Sequence, residues 1–199
     1  MSSVVMQDQP GHAGSDTLSL SELVELAHSR SPENRRRLLD GVLTLCRTQP
    51  DICASPVLGD IFMTLARQAE RDIRITLSQA LGDADWAPPA LIHILALDDI
   101  EIARPVIAAS PLLADADLLR ILVEATLEHQ IEVARRPRLS PVVADAIIDQ
   151  AEPAPLTALA GNTSARLNDE AMRRLVEHSR RIAGLRSPLS RHPRLTEAL

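Results

Sequence analysis

The chain has 199 residues, of which 45% are hydrophobic, and its formal net charge at pH 7 is −6. This composition is sufficient for a substantial core, and the acidic balance without a long basic run argues against a protein that binds duplex DNA. The chain has no tyrosine, and its aromatic residues are Phe62 and Trp86, so aliphatic side chains must form the core. This favours packed helices over sheets. All 21 basic residues are arginine, whose planar guanidinium suits carboxylates and phosphates.

Residues 1–16 are polar and contain two glycines and a proline, so we predict a flexible N-terminal segment. No stretch approaches the roughly 20 apolar residues that span a bilayer. Cys46 and Cys53 lack the spacing of a redox or zinc motif, which indicates free thiols in a reducing compartment. The sequence therefore predicts a cytoplasmic protein with no membrane association.

Helix-start signals organise residues 17–89. Ser19 and Glu22 have the spacing of a capping box, in which each residue satisfies a backbone N–H of the other. Ser31–Thr48 and Ser55–Leu81 each show the periodicity of a helix pair, and a proline-rich break follows at residues 85–89. We interpret residues 17–89 as divergent N-terminal helical repeats.

A short motif with a central leucine occurs four times in residues 90–199. These leucines are Leu113, Leu139, Leu167 and Leu195, at intervals of 26, 28 and 28 residues. After the helix Ala90–Ala96, we predict the first helix of each repeat from N-caps at Asp115, Ser140, Asn168 and Thr196. We predict the second helices over Ile100–Ala109, Leu127–Arg135, Leu156–Ala160 and Ile182–Arg191. A period of about 26–28 residues is typical of stacked units, so we predict an all-α fold, an α-solenoid of regular two-helix repeats.

The last four residues, 196–199, have the pattern of an N-cap and a first helical turn. We therefore expect the regular repeats to continue beyond Leu199, or a partner to cover their end. An apolar face exposed there would also favour a homodimer through the uncapped last repeat.

Two segments carry a resemblance to a known family, Glu128–Ser140 (EHQIEVARRPRLS) and Leu159–Leu167 (LAGNTSARL). Over about residues 91–199 the chain resembles the bacterial domain of unknown function 2336 family, and its repeats are also similar to HEAT repeats and leucine-rich-repeat variants. The resemblance implies a right-handed solenoid of HEAT-like repeats and supplies no catalytic residue. Thr163 stands where family members usually have proline.

Residues that carry chemistry do not form a recognisable catalytic or metal motif. The six histidines form neither H-x-x-x-H nor H-E-x-x-H, and no cysteine and histidine have zinc-ligand spacing. His129 and His178 are predicted at helix ends or on the surface. We therefore expect no enzyme activity, no metal and no cofactor.

Six arginines are the candidate contact residues. Arg138, Arg166 and Arg194 occupy the same position of successive repeats, so stacking should align them along one edge. Arg135 and Arg136 precede the first of these, and Arg191 precedes the last. In one interpretation they are structural and bond helix-end carbonyls, or pair with acids such as Asp145, Asp169 and Glu197. In the other they form an edge that recognises anions.

The sequence supports three hypotheses about function. The first is a non-enzymatic scaffold or adaptor that binds an unknown protein partner, because solenoids present extended surfaces. The second is a nucleic-acid-binding HEAT-like protein, which the net charge disfavours. The third is a sensor of anions or small ligands at the arginine edge.

Overall fold

A computed structural model describes residues 18–53 and 55–197 of the chain, and within these residues every regular element is a helix. The all-α prediction is confirmed, whereas the predicted flexible segment 1–16 lies outside the described residues. The α-helices are α1 (Leu20–Ala27), α2 (Pro32–Thr48), α3 (Pro50–Cys53), α4 (Pro56–Gln68), α5 (Arg71–Leu81), α6 (Pro89–Ala96), α7 (Ile100–Ala109), α8 (Asp115–Glu124), α9 (Leu127–Arg135), α10 (Pro141–Gln150), α11 (Pro153–Gly161), α12 (Asp169–His178), α13 (Arg186–Ser190) and α14 (Pro193–Glu197). A 3₁₀ helix, Ala183–Leu185, precedes α13.

Side-chain caps fix several helix starts at the predicted residues. The capping box of α1 is present, with the Ser19 backbone N–H donating to Glu22 Oε2 at 2.7 Å. The side-chain oxygens of Ser55, Ser140 and Asn168 accept the backbone N–H three residues later, at 3.3, 3.3 and 2.7 Å. Each cap satisfies an N–H that has no partner inside its helix.

Two predicted N-caps are wrong. Helix α8 begins at Asp115, and its N-cap is Ala114, whose backbone N–H donates to the Asp117 carboxylate at 2.9 Å. The acid at the third helical position therefore replaces the predicted cap. Helix α14 begins at Pro193, which is preorganised for a first helical position, so Thr196 lies inside the helix.

The extents of three other elements also differ from prediction. Ser31–Thr48 forms one helix, α2, rather than a pair. A Cβ on Gly41 would come within 2.7 Å of Leu23 Cδ2 and 2.8 Å of Leu18 Cδ1, so the glycine allows close packing of the N-terminal residues on an unbroken α2. Helix α11 begins at Pro153, earlier than predicted, and residues 182–191 contain the 3₁₀ helix and the short α13 in place of one helix.

The helices contact one another in two rows. The first row consists of α1, α4, α6, α8, α10 and α12, and the second of α2, α5, α7, α9, α11 and α13. Successive members contact along each row, and between α6 and α8 His93 Nε2 lies 3.2 Å from Asp117 Oδ1. From α1 to α10, each first-row helix also contacts the following helix of the second row, so the apolar faces meet in a common core.

The repeated leucines are core residues. Leu113, Leu139 and Leu167 are buried, with exposed fractions of 5%, 2% and 1%, and Leu195 is half-buried against the same core. Cys46 and Cys53 are also buried and are free thiols, as predicted. Within the described residues, none of the helices is long and apolar enough to cross a bilayer.

Arginine–carboxylate pairs join the first four helices of the second row. They are Arg35–Glu70 (2.8 Å), Arg36–Asp72, Arg71–Asp99 (3.7 Å), Arg71–Glu101 (2.5 Å), Arg74–Asp98 (2.6 Å) and Arg104–Glu132 (3.2 Å). The pattern stops at α11, because its residues Pro153–Gly161 include no charged side chain. The C-terminal part of this row must therefore be held together differently.

Candidate functional site: the arginine turns

Arg135 lies at the end of α9, and the other five predicted arginines lie on three turns that each follow a second-row helix. We name these the arginine turns; they comprise residues 136–140, 162–168 and 191–194. The Arg166 backbone N–H donates to the Leu139 carbonyl at 2.9 Å, and the Arg194 guanidinium donates to the Leu167 carbonyl. Hydrogen bonds thus link the turns in series, which places successive turns side by side.

Arg136 is a structural residue. Its Nη1 donates to the Ile107 carbonyl and its Nη2 to the Ser110 carbonyl, each at 2.5 Å, at the C-terminal end of α7. Burial lowers the pKa of Arg136 from its usual value, although a guanidinium remains protonated at neutral pH. The cation therefore satisfies carbonyls that α7 leaves without a partner and favours the negative end of that helix dipole.

Arg194 is also engaged within the chain. Besides its bond to the Leu167 carbonyl, its Nη2 lies 3.1 Å from Asp169 Oδ1. Asp169 was among the acids expected to pair with this row of arginines. At this position, too, the structural interpretation is supported.

Arg135 lies at the end of α9 and shares its carboxylate partner with a second cation. Arg135 Nη1 and Arg104 Nε lie 3.1 and 3.2 Å from the same oxygen, Glu132 Oε1. The side chain of Glu132 is 10% exposed, whereas those of Arg135 and Arg104 are 62% and 54% exposed. Two guanidiniums therefore face one carboxylate, which leaves an excess of positive charge beside α9.

The other three predicted arginines face solvent. Arg138, Arg166 and Arg191 are exposed, and within the described part of the chain their side chains make no hydrogen bond or ion pair. One such arginine lies on each arginine turn. These guanidiniums are available to carboxylates or phosphates of another molecule.

The backbone of Arg138 has a conformation that favours glycine. Its φ angle is 54°, in the left-handed region, which costs an L-residue roughly 1–2 kcal/mol. The Arg138 N–H donates to Ser164 Oγ at 3.2 Å, so the neighbouring turn holds this conformation. The position of the Arg138 side chain is therefore fixed at its base by two adjoining repeats.

The sequence interpretation missed two polar residues that join the repeats. Asn162 Nδ2 donates to the Ala134 and Arg136 carbonyls at 2.9 and 2.8 Å, one repeat after Arg136 makes similar bonds to α7. Asn162 follows Arg136 by 26 residues, one repeat length, and this interval could have indicated that the two residues have equivalent roles. His192, in the next turn, is 2% exposed, and its Nδ1 accepts the Arg194 N–H at 3.3 Å. Burial lowers the pKa of His192 below its usual 6.5.

His129 lies near a helix end, as predicted, but it is buried. Its Nε2 lies 2.9 Å from the Asp98 carbonyl, and its Nδ1 lies 2.7 Å from Thr126 Oγ1. Because a carbonyl can only accept, Nε2 donates to it, and in the neutral imidazole Nδ1 then accepts from the threonine hydroxyl. The imidazole thus connects α9 to the start of α7. In the sequence, the feature that could have indicated this role is Thr126, whose hydroxyl three residues before His129 can reach its imidazole.

Among the residues that the structure describes, no three histidine, cysteine or acidic side chains are grouped so that they could hold a metal ion. The chemistry that the arginine turns can perform is recognition of anions. Guanidiniums bind carboxylates and phosphates through paired N–H donors.

Comparisons with known proteins identify the C-terminal half of the chain. A search of curated proteins and a search of solved structures found no match. A family model described as an uncharacterised protein conserved in bacteria (DUF2336) matches residues 102–199, which include all three arginine turns. Through these residues, the chain belongs to the bacterial protein family DUF2336.

Proposed function

We propose that the protein is a non-enzymatic interaction scaffold that binds an acidic segment of a partner protein. Its two rows of helices would form a right-handed α-solenoid of HEAT-like repeats. The observation that carries the proposal is the exposure of Arg138, Arg166 and Arg191 on three adjoining turns, without a partner among the described residues. Buried free thiols support a location in the reducing cytoplasm.

The contrast among the six arginines supports recognition rather than a purely structural role. Arg136 and Arg194 satisfy backbone carbonyls within the stack, so those bonds do not require the exposed arginines. Exposed guanidiniums at successive turns suit carboxylates spaced along an extended peptide. The regular spacing of repeats then sets the spacing of the acids that such a peptide must present.

Charge along the sequence also supports an acidic partner. Residues 178–196 contain five arginines, two histidines and no acidic residue, although the whole chain carries a net charge of −6. The basic charge is therefore concentrated near the last arginine turn. Such a local field would attract an acidic segment and orient it along the turns.

Binding of a labelled peptide tests the proposal. The probe is a fluorescein-labelled peptide of eight glutamates, and its binding is measured by fluorescence anisotropy at 50 mM salt. We expect the triple variant Arg138→Gln, Arg166→Gln, Arg191→Gln to bind about tenfold more weakly than the wild type, because three exposed ion pairs of a few tenths of a kcal/mol each are lost.

The matched control is the triple variant Arg30→Gln, Arg47→Gln, Arg67→Gln. These arginines are exposed and, within the described residues, have no ion pair, so the control removes the same charge elsewhere on the chain. It should bind like the wild type. Equal loss in both triple variants would show that net charge attracts the peptide, and the proposal would be wrong.

The stretch 178–196 also favours a second candidate, binding of nucleic acid, because it is basic and free of acids. The same variants are tested with a labelled 20-base-pair duplex across a series of salt concentrations. Tighter binding of the duplex than of the peptide, with a steep salt dependence, would replace the scaffold by a nucleic-acid-binding protein. Thermal stabilisation by phosphate or nucleotides alone would favour the anion sensor instead.

Self-association through the last repeat is a separate proposal. The exposure of Val176 on α12, at 38%, supports it because an apolar side chain faces outward there. Sedimentation equilibrium of the wild type and of Val176→Glu tests it. A dimer that the substitution dissociates is the expected result.

A further inference from the structure

We propose that the groove between α9 and α11 binds a bulky apolar side chain that lies next to the acidic residues of the same partner segment. This inference rests on the proposed function and specifies the partner further. The occupant is thus an extended peptide that combines acidic residues with one large aliphatic or aromatic residue. The shape of the groove, its surface chemistry and its position beside the arginine turns support this occupant.

The groove has a volume of about 860 Å³, which is sufficient for a large side chain and its flanking backbone. Small residues of α11 form its floor. Residues of α9, Ile182 and the 3₁₀ helix form its walls. The lining residues that determine its shape are Ile131, Ala154, Thr157, Ala158, Ile182 and Gly184. A Cβ on Gly184 would approach Thr157 Oγ1 to 3.3 Å, so the glycine keeps the wall close to the floor without filling the groove.

The polar groups of two lining side chains are already satisfied. The Thr157 hydroxyl donates to the Pro153 carbonyl at 2.7 Å, and the Asn162 amide donates to two carbonyls of the preceding repeat. The Asn162 oxygen accepts from the backbone N–H and hydroxyl of Ser164. These groups do not need a polar ligand, and the neighbouring alanines and isoleucines favour an apolar one.

The groove opens directly beside two arginine turns. Asn162 and Thr163 line it, and the same turn continues to Ser164, which accepts the Arg138 N–H, and to the exposed Arg166. A peptide whose acids contact Arg138 and Arg166 therefore passes the mouth of the groove. An apolar residue adjacent to those acids is within reach of the floor.

Charge at the rim favours the same occupant. Arg135 lines the groove and shares Glu132 with Arg104, so two guanidiniums compete for one carboxylate. A carboxylate from the partner would give Arg135 a second acceptor. Charge complementarity thus selects an acidic segment over a basic or neutral one.

A peptide library tests the inference. The probes are fluorescein-labelled octapeptides of glutamate in which the fourth residue is varied through serine, alanine, valine, leucine, methionine and phenylalanine. We expect leucine, methionine or phenylalanine to bind about tenfold more tightly than serine, since burial of a large apolar side chain supplies that factor. Equal binding of all the peptides would overturn the inference, while binding of the serine peptide would still report on the arginine turns.

Variants at the groove locate the effect. Ala154→Trp fills the floor and Ala154→Asp adds a negative charge to it, and both should abolish the preference for leucine over serine. Ala154 is the second residue of α11, where an acid is compatible with a helix N-terminus. The matched controls are Ala116→Trp and Ala116→Asp at the exposed second residue of α8. A preference that survives both Ala154 variants would contradict the inference.

A second copy of the chain is the other occupant that these experiments distinguish, and they also separate failure of the inference from failure of the proposed function. If sedimentation equilibrium shows a dimer that Ala154→Trp dissociates and Ala116→Trp does not, the groove binds a second copy and the inference is wrong. If the Arg138, Arg166, Arg191 triple variant retains full affinity for the serine peptide, the proposed function fails. If an Ala154 variant loses the preference for leucine but still binds the serine peptide, the substitution has disrupted the groove alone and the proposed function is unaffected.

Discussion

The two ends of the second row are stabilised in different ways. From α2 to α9, neighbouring helices are joined by arginine–carboxylate pairs. From α9 onward, polar side chains reach backbone carbonyls instead, as Asn162 does to Ala134 and Arg136. The difference follows from α11, which has no charged side chain to offer as a partner. An arginine is available for another molecule where the neighbouring helix does not neutralise it.

This comparison separates arginines that the sequence alone cannot distinguish. Arg104 and Arg135 both contact Glu132, whereas Arg138, three residues further on, is exposed without a partner in the described part of the chain. Position in the sequence therefore does not show whether an arginine side chain is free to bind another molecule. That depends on the groups that the neighbouring repeat places beside it.

The largest effect is expected from Leu139→Ala, in the first arginine turn. Leu139 is 2% exposed, so truncation leaves a cavity between repeats and should lower the free energy of unfolding by roughly 2–5 kcal/mol. Urea denaturation measures this change. Val142→Ala is the control, because Val142 is 58% exposed and should change stability little. Wild-type stability of Leu139→Ala would show that the repeat register is wrong.

Arg136→Met should cost about 2 kcal/mol, because two carbonyls of α7 lose charge-assisted hydrogen bonds. Arg104→Met, in the part of the second row that ion pairs join, should lower the free energy of unfolding by less than about 1 kcal/mol, since Arg135 still contacts Glu132. Urea denaturation of both variants measures these changes in the free energy of unfolding. The account of the C-terminal repeats is contradicted if the Arg104 variant is the less stable.

Acid should weaken the C-terminal repeats through His192. Burial lowers its folded-state pKa below the usual 6.5, so the unfolded chain binds a proton first as the pH falls. The stability from neutral His192 is complete above about pH 6.5 and decreases as the pH falls from there toward the folded pKa. Hydrogen exchange of α13 amides at pH 7.0 and 5.5, corrected for the intrinsic rate, measures it. In His192→Gln the pH dependence should disappear; its persistence would assign it to another group.

Salt should produce the smallest effect, and it should act on the N-terminal end of the second row. Raising NaCl from 0.1 to 1 M shortens the Debye length from about 10 to 3 Å and screens the exposed pairs between α2, α5 and α7. We expect the amides of α5 and α7 to lose protection by a few tenths of a kcal/mol. Amides of α11, which has no such pair, serve as the internal control. Equal loss in α11 would show that the ion pairs do not differentiate the two ends.

Local signals explain how much of the fold was predictable. Helices α7 and α9 have the predicted bounds, and the caps at Ser19, Ser140 and Asn168 are the predicted ones, because periodicity and capping act within a few residues. The extent of α2 was mispredicted, because periodicity alone did not show that Ser31–Thr48 continues through Gly41 as one helix. The role of Gly41, which allows Leu18 and Leu23 to pack closely on α2, depends on tertiary structure.

The candidate site was predictable as a set of residues but not as a set of roles. Repeat spacing located Arg138, Arg166 and Arg194 at equivalent positions. It did not show that Arg194 lies in the first turn of α14, where its guanidinium reaches Leu167 and Asp169. Such roles depend on which carbonyl or carboxylate the adjoining repeat presents.

An NMR titration tests whether exposed arginines bind the partner while others hold the stack together. It observes the side-chain Nε–Hε groups of all arginines while the glutamate octapeptide with leucine at its fourth position is added. We predict saturable shifts for Arg138, Arg166 and Arg191, and small ones for Arg136 and Arg194, whose guanidiniums are bonded within the stack. Shifts that are distributed evenly over the arginines, or are largest at Arg136 and Arg194, would contradict the division between structural and available arginines.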